Sequence, residues 1–218
     1  MKEFGNKKSI NFFVVIGMKS FHELFKTILS GDRESSRLAA REVRKLLHSS
    51  HAGKYDEIKS IINGASEQYR KITDDFRQEN FVMAVSVMYF LHDRENEPDF
   101  LFPWLFHLLK HPNGYIRHAS VRMLDHELGP LTVHLRCPDL NYSYKFSRVD
   151  ADHILADMFI VLVDMAHDFW KPIYKKYKYI SSLPSGPYKS IQMVLSELEE
   201  DCGEQFMIKL HQKFGMKK

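Results

Sequence analysis

Apolar residues recur at helical spacing through almost the whole chain after residue 18, and this periodicity restricts the fold more than any other feature. Between Phe21 and Leu29 they occupy positions i, i+3, i+4, i+7 and i+8, which form one stripe on a helix. Similar stripes cover residues 39–47, 101–109, 116–128 and 154–169. Strands would show alternation instead. The sequence therefore predicts an all-α protein.

Short turns separate these helices and join them into pairs. Ser30-Gly31-Asp32 interrupts two stripes, with Gly suited to a helix end and Asp or Ser to the next N-cap. Pro112-Asn113-Gly114 is a second turn of this kind. A shift of 80 residues aligns the two pairs and places Arg37 on Arg117. The chain therefore contains a repeated helix–turn–helix unit.

A separation of 80 residues accommodates two units of about forty residues. The sequence therefore predicts a further helix pair between the two aligned pairs. Helices over 55–73 and 79–92 fill that place. A fourth pair follows residue 150. Its first helix begins near Asp150 or Asp152 and ends at Pro172, and its second part runs to about residue 200 before a last amphipathic helix over 204–214.

The residues after each clear turn resemble the HEAT-repeat family, in which a hydrophobic residue, an Arg and small residues follow the turn. Ile116-Arg117-His118-Ala119-Ser120 has this order, and Ser36-Arg37-Leu38-Ala39-Ala40 has it with Ser in the hydrophobic place. His111 stands where that family usually has Asp. The resemblance implies an α-α superhelix, an armadillo-like solenoid of about four HEAT-like helix pairs.

We expect the repeat domain over residues 18–218, and two segments of the chain depart from the repeat pattern. Residues 1–17 are interpreted as an N-terminal arm, because Met18 opens the first convincing helix and is a candidate initiator. Residues 129–150 are polar and aromatic and predict one long insertion. That insertion either packs on the core through Tyr142, Tyr144 and Phe146 or carries function, as long loops often do.

Composition restricts the environment and the class of partner. Thirty-one basic and 28 acidic residues give a net charge of +3, which is compatible with an acidic protein surface or a nucleic acid. Cys137 and Cys202 form no CxxC motif, so we expect free thiols in a reducing, cytoplasmic compartment. No run approaches the roughly 20 apolar residues of a membrane span, so no membrane partner is predicted.

Cations on the polar sides of the second helices are the predicted binding site. HEAT-like proteins commonly bind partners along the groove that these sides form. Here the groove would carry Arg41, Arg44, Lys45, His48, His118 and Arg122. A groove of one sign attracts an acidic partner. The resulting prediction is a non-catalytic scaffold or adaptor without cofactor, and the alternative is an ordinary solvated face beside Glu34 and Glu42.

A metal-dependent enzyme is one alternative. His92-Asp93 resembles the paired ligands of HD-domain phosphohydrolases, which are also all-helical and need further His and Asp ligands, such as His51 upstream. However, Arg94-Glu95-Asn96 follows where that family has small residues. The chain has 12 His, so short matches arise by chance, and capping or surface histidines are the favoured interpretation.

A DNA-repair enzyme is the other catalytic alternative. HEAT-like alkylpurine DNA glycosylases are of similar size and use aromatic, Asp and Arg residues on a concave face. Trp104, Trp170, Asp168 and Arg148 supply those residue types, without a contiguous family motif. Aromatic rings can hold a flipped base by stacking. The competing and favoured interpretation is that both tryptophans pack in the core or between repeats.

Overall fold

A computed structural model describes residues 20–49, 53–91, 101–139 and 147–215. Within these ranges every regular element is helical and no strand occurs, which confirms the all-α prediction. The α-helices are α1 (Phe21–Ser30), α2 (Arg33–Leu47), α3 (Lys54–Asn63), α4 (Ala65–Arg70), α5 (Asp75–Met88), α6 (Phe102–Leu109), α7 (Gly114–Arg136), α8 (Arg148–Phe169) and α9 (Pro187–Lys213). Short 3-10 helices cover Tyr89–Leu91, Pro172–Lys176 and Ile180–Ser182.

Side-chain caps fix where several helices begin. Ser20 and Glu23 form a capping box at the start of α1. The carboxylate of Asp32 accepts a hydrogen bond of 2.7 Å from the Ser35 N–H, which confirms the predicted N-cap of α2. Ser147 accepts in the same way from the Asp150 N–H at 3.1 Å, so α8 begins slightly before the predicted position.

The turn between α1 and α2 requires glycine because the chain passes too close to itself for a side chain. A Cβ at Gly31 would lie 2.7 Å from the Thr27 carbonyl oxygen and 3.1 Å from the Ser35 Cβ. The Gly31 N–H donates to that same carbonyl at 2.9 Å, and this bond ends α1. Space, rather than an unusual backbone angle, therefore selects glycine here.

The helices pack as consecutive pairs. α1 packs on α2, α6 on α7 and α8 on α9, while α3 and α4 lie beside α5. The second helices also contact one another in chain order: α2 packs on α5, α5 on α7, and α7 on α9. One apolar core runs through all pairs, and its fully buried side chains include Phe21, Ile58, Phe81, Leu105, Ile116 and Phe159.

Polar side chains join the second helix of each pair to the neighbouring pair, near the N-terminal ends of these helices. We call the three bonds concerned the polar ladder: the Arg77 guanidinium donates to the Gly31 carbonyl (3.0 Å), the Asn113 amide to the Glu79 carboxylate (2.6 Å), and the Arg117 guanidinium to the Ser185 hydroxyl (3.1 Å). These groups are half-buried, where a hydrogen bond is directional and costly to lose. The ladder therefore helps to fix the register between neighbouring pairs.

The predicted insertion over 129–150 is wrong at its beginning, because α7 continues as a helix to Arg136. Pro130 lies inside this helix and is exposed, so its ring projects into solvent. Proline removes one helical hydrogen bond. In the same turns, the Thr132 hydroxyl donates to the Leu128 carbonyl at 2.7 Å and the Arg136 guanidinium donates to the Gly129 carbonyl at 2.9 Å.

Two other helix predictions need smaller changes. The single helix expected over 55–73 is two helices, α3 and α4, which meet at Gly64. The helix expected over 79–92 already begins at Asp75. The break predicted after residue 200 is confirmed inside α9, where Gly203 adopts a left-handed φ of 74°.

Several sequence predictions fall on residues outside the described ranges. These are the N-terminal arm over 1–17, His51, His92-Asp93, and the loop aromatics Tyr142, Tyr144 and Phe146. Within the described ranges, no helix combines the length and the apolar character that crossing a membrane requires.

The aligned arginines Arg117 and Arg37 should differ sharply in their contribution to stability. Arg117 is 5 % exposed and also donates to the carbonyls of His111 and Pro112, each at 2.7 Å. Arg37 instead bonds Glu34 at 2.9 Å, and its side chain is 41 % exposed. We expect Arg117→Ala to lower the free energy of unfolding by about 2–3 kcal/mol, because several charged hydrogen bonds are lost.

Arg37→Ala is the matched control and should cost less than about 0.5 kcal/mol, as exposed ion pairs do. Urea unfolding followed by circular dichroism measures both values. Equal losses in the two variants would contradict a special role for Arg117.

Candidate functional site

The predicted cations of α2 are all exposed in its C-terminal half. We call Arg41, Arg44, Lys45 and His48 the α2 patch. The Lys45 ammonium is paired with the Glu42 carboxylate at 2.6 Å. Arg41 and Arg44 form no ion pair within the part of the chain that the structure describes. Two of the four side chains therefore remain available for an external anion.

The other two predicted cations, His118 and Arg122, lie one turn apart on α7 and are also exposed. We call them the α7 patch. Helix α5 packs between α2 and α7. Its one basic residue, Arg77, bonds Asp74 and the Gly31 carbonyl. The six predicted residues therefore form two basic patches that flank α5, and no cation continues the charge between them.

Acidic side chains border the α7 patch. Asp125 of α7 is partly buried and faces Glu197 and Asp201 of α9. Burial, together with these two carboxylates, raises the pKa of Asp125 to about 6, although Arg122 opposes the shift. One carboxylate oxygen of Asp125 is buried without a hydrogen-bond partner. These acids weaken the attraction of the α7 patch for an anionic partner.

A third surface lies between the end of α8 and the start of α9, in a segment for which the sequence predicted helix breaks and, in the glycosylase alternative, a role for Trp170. Residues 169–196 contain five Lys, six aromatic residues and no Asp or Glu. A cleft of about 270 Å³ opens there. We call it the aromatic–lysine cleft, and its lining includes Trp170, Tyr174, Lys175, Lys178, Tyr179 and Tyr188.

Ring stacking and proline-rich turns build this cleft. The rings of Tyr174 and Tyr188 stack with centroids 4.6 Å apart and an interplanar angle of 8°. Burial raises the pKa of the Tyr188 phenol, so that ring stays neutral at physiological pH. The Lys189 ammonium donates to the carbonyls of Ser181 and Leu183 at 2.8 and 3.0 Å and holds the loop between them.

Lysine side chains lie over the aromatic rings along this segment. The Lys175 ammonium is 5.6 Å from the Trp170 ring centroid, and the Lys178 ammonium is 5.2 Å from the Tyr179 centroid. Trp170 is 41 % exposed and Tyr179 is 62 % exposed. A count of charges and aromatic residues over 169–196 would have identified this surface from sequence.

The two tryptophans have different environments. Trp104 is 5 % exposed and packs edge-on against Tyr69, with ring centroids 5.8 Å apart, so the core prediction for it is confirmed. Trp170 is not part of the core, because 41 % of it is exposed. Residues Arg148 and Asp168 lie near opposite ends of α8, about 30 Å apart at 1.5 Å per residue. The residues nominated for a glycosylase site are therefore not brought together.

Of two histidine–carboxylate pairs in the described ranges, one joins packed helices and the other is exposed. His134 is buried in α7, and its ring Nε2 lies 2.8 Å from the Asp152 carboxylate of α8. His167 and Asp168 are highly exposed and lie 4.0 Å apart. Across the described residues, no group of three His, Cys, Asp or Glu side chains is placed to hold a metal ion.

Replacement of Asp125 should stabilise the protein in a pH-dependent way. Because the folded-state pKa lies above the ordinary value of 3.8, the stabilising contribution of the protonated form is complete below about pH 4 and is lost as pH rises through 6. We expect Asp125→Asn to add about 1–2 kcal/mol at pH 7.5, a range that allows for solvent screening at a partly exposed site.

Calorimetric melting of wild type and Asp125→Asn between pH 4 and pH 7.5 measures this effect. The difference in melting temperature should vanish near pH 4, where wild-type Asp125 is itself protonated. Asp157→Asn, at an exposed position of α8, is the control and should change little at either pH. A constant difference across the range would show that ionisation of Asp125 is not the cause.

The two free thiols should react at very different rates. Cys137 is exposed after α7, whereas Cys202 is buried in α9, where burial raises the pKa of its thiol to about 12. Since the thiolate is the reactive form, native protein should consume one equivalent of a disulfide reagent quickly. Denaturant should release the second equivalent, and Cys137→Ser should abolish the rapid phase. Two rapid equivalents in native protein would contradict the burial of Cys202.

Comparison with protein-family models, with curated proteins and with solved structures finds no match to this chain.

Proposed function

We propose that this chain is a non-catalytic scaffold or adaptor that binds an acidic protein partner through the α2 patch. In this proposal the four helix pairs form a HEAT-like α-α superhelix. Contacts between second helices in chain order and the polar ladder that links them support such a stack. A stack of this kind offers long exposed helix faces for partners.

The observation that carries the proposal is that two arginines on α2 are not used in ion pairs with described residues. Arg41 and Arg44 are exposed and form no ion pair among the described residues. Guanidinium groups bind carboxylates in a bidentate manner. Since neither arginine is already paired within the described part of the chain, no ion pair there has to be broken when a partner binds. Leu38, 47 % exposed on the same helix, adds an apolar contact. An acidic segment with an apolar anchor matches this surface.

The α7 patch plays a lesser part in the proposed binding. His118 and Arg122 add positive charge beyond α5, but Asp125 and its acidic neighbours reduce the potential there. A partner that extends across α5 would meet no free cation there among the described residues, because Arg77 already bonds Asp74 and the Gly31 carbonyl. The α2 patch is therefore expected to dominate affinity, while the α7 patch contributes long-range attraction.

Charge reversal in the α2 patch tests this function. Arg41→Glu with Arg44→Glu should reduce capture of the partner by about tenfold or more, since two charge-assisted contacts become repulsive. Capture is measured by quantitative cross-linking and mass spectrometry from cells that express the protein at native level. Melting temperature is measured in parallel and should stay unchanged, because both side chains are exposed.

The matched control is Lys26→Glu with Lys59→Glu, which changes net charge equally at exposed positions of α1 and α3. Capture by this control should stay close to wild type at physiological salt. If both double variants lose the partner equally, net charge rather than the α2 patch governs binding. Undiminished capture by the α2 variant would remove the basis of the proposal.

A further inference from the structure

We infer that the aromatic–lysine cleft binds single-stranded nucleic acid, with bases stacked on the exposed rings and phosphates beside the lysines. This is a second binding function on a different surface from the α2 patch. Single-stranded nucleic acid has two chemical features that alternate along the strand: a flat π-face and a negative charge. The cleft offers the complementary groups at comparable density in one segment of the chain.

The charges of the cleft are not neutralised locally. Lys171, Lys175, Lys176 and Lys178 are exposed and form no ion pair within the described ranges. No acidic residue occurs from 169 to 196, and the bordering Asp168 and Glu197 form no ion pair with these lysines within the described ranges. Lys189 is excluded from this set because its ammonium already bonds two loop carbonyls. Lys175 and Lys178 line the cleft, and Lys171 and Lys176 belong to the same exposed segment. These cations are available to replace the counterions of phosphate groups.

Two rings of the cleft, Trp170 and Tyr179, are exposed rather than packed in the core, and each has a lysine ammonium over one face. Trp170 and Tyr179 expose about half of their surfaces, at 41 % and 62 %. The rings of Tyr174 and Tyr188 stack on each other, are partly buried and line the cleft. Stacking on such rings tolerates any base, because every base has a π-face. The cleft should therefore bind without strong sequence preference.

The segment is held in shape before a ligand arrives. Pro172 begins one 3-10 helix, and Pro187 begins α9. Leu183 is buried between them, and Lys189 fastens the intervening carbonyls. A preorganised loop loses less conformational entropy on binding than a flexible one.

Single strands fit these observations better than other polyanions. In a duplex, the bases are already stacked on one another and their faces are closed to the rings. An anionic membrane would also attract the lysines, but it would leave unused the concave cleft that the stacked Tyr174 and Tyr188 line. An acidic peptide would satisfy the charges and leave the ring faces unused.

Fluorescence anisotropy of a labelled oligothymidylate of about 15 nucleotides tests the inference on the full-length protein. We expect binding at least about tenfold tighter than to a duplex of the same length, because only the single strand offers free base faces. Trp170→Ala with Tyr179→Ala should weaken it by about tenfold to a hundredfold. Trp170→Phe with Tyr179→Phe keeps both rings and should stay within about threefold of wild type.

Salt titration separates the contribution of the lysines. Lys175→Gln with Lys178→Gln should weaken binding and reduce the slope of log affinity against log salt by about 1.4, or 0.7 per phosphate contact. The control is Lys209→Gln with Lys213→Gln, two exposed lysines at the far end of α9. Lys213 also lies over an aromatic ring, that of Phe214 at 5.4 Å, so the control matches the chemistry of the site outside the cleft.

Several results would overturn the inference. These are absence of oligonucleotide binding, equal loss in the cleft and control variants, and partition onto phosphatidylserine vesicles without affinity for the oligonucleotide. Melting temperatures of all variants distinguish lost contacts from lost folding. The α2 variant Arg41→Glu with Arg44→Glu should retain oligonucleotide binding, so failure of this inference is distinguishable from failure of the proposed scaffold function.

Discussion

Apolar contact between consecutive second helices is the interaction on which the rest of the structure depends. Helix α5 illustrates it most clearly: its residues from 81 to 88 are buried except for the partly exposed Met83. A helix that is apolar on nearly all sides is stable only when neighbours cover every side, and here α1, α2, α3, α4 and α7 do so. Burial supplies the driving force but does not select one alignment. The polar ladder adds that selectivity, because its donors reach their acceptors in one register only.

The presence of helices rather than strands, and the pairing of those helices, could be predicted from sequence because both depend on local patterns. The spacing of apolar residues distinguishes a helix from a strand, and Gly31 and Asn113 mark turns by their own chemistry. The length of α7 could not be predicted, because Pro130 reads locally as a stop. Thr132 and Arg136 engage backbone carbonyls in those same turns, and contacts with α8 and α9 cover the helix. Tertiary packing thus overrides a local signal.

The candidate sites also differ in whether their properties depend on residues that are close together or far apart in the sequence. Arg37 and Arg117 align when the sequence is shifted by 80 residues, yet only Arg117 is covered by a following segment, which includes Ser185. Asp125 lies 72 residues from Glu197 in the chain, so its raised pKa depends on packing that periodicity does not reveal. The aromatic–lysine cleft, in contrast, is built mainly from a contiguous segment, so its residue composition could have been recognised from the sequence.

The two proposed surfaces lie in the first and last helix pairs, and this placement bears on how they would act together. α2 and the α8–α9 segment are joined through α5 and α7, whose contact surfaces are apolar and closely packed. Neither surface shares a side chain or a hydrogen bond with the other, and distant sites without shared partners contribute nearly additively. Binding at one surface therefore need not alter affinity at the other. The middle pairs would serve as a spacer that holds two independent ligands at a fixed separation, which is the physical meaning of a scaffold for this chain.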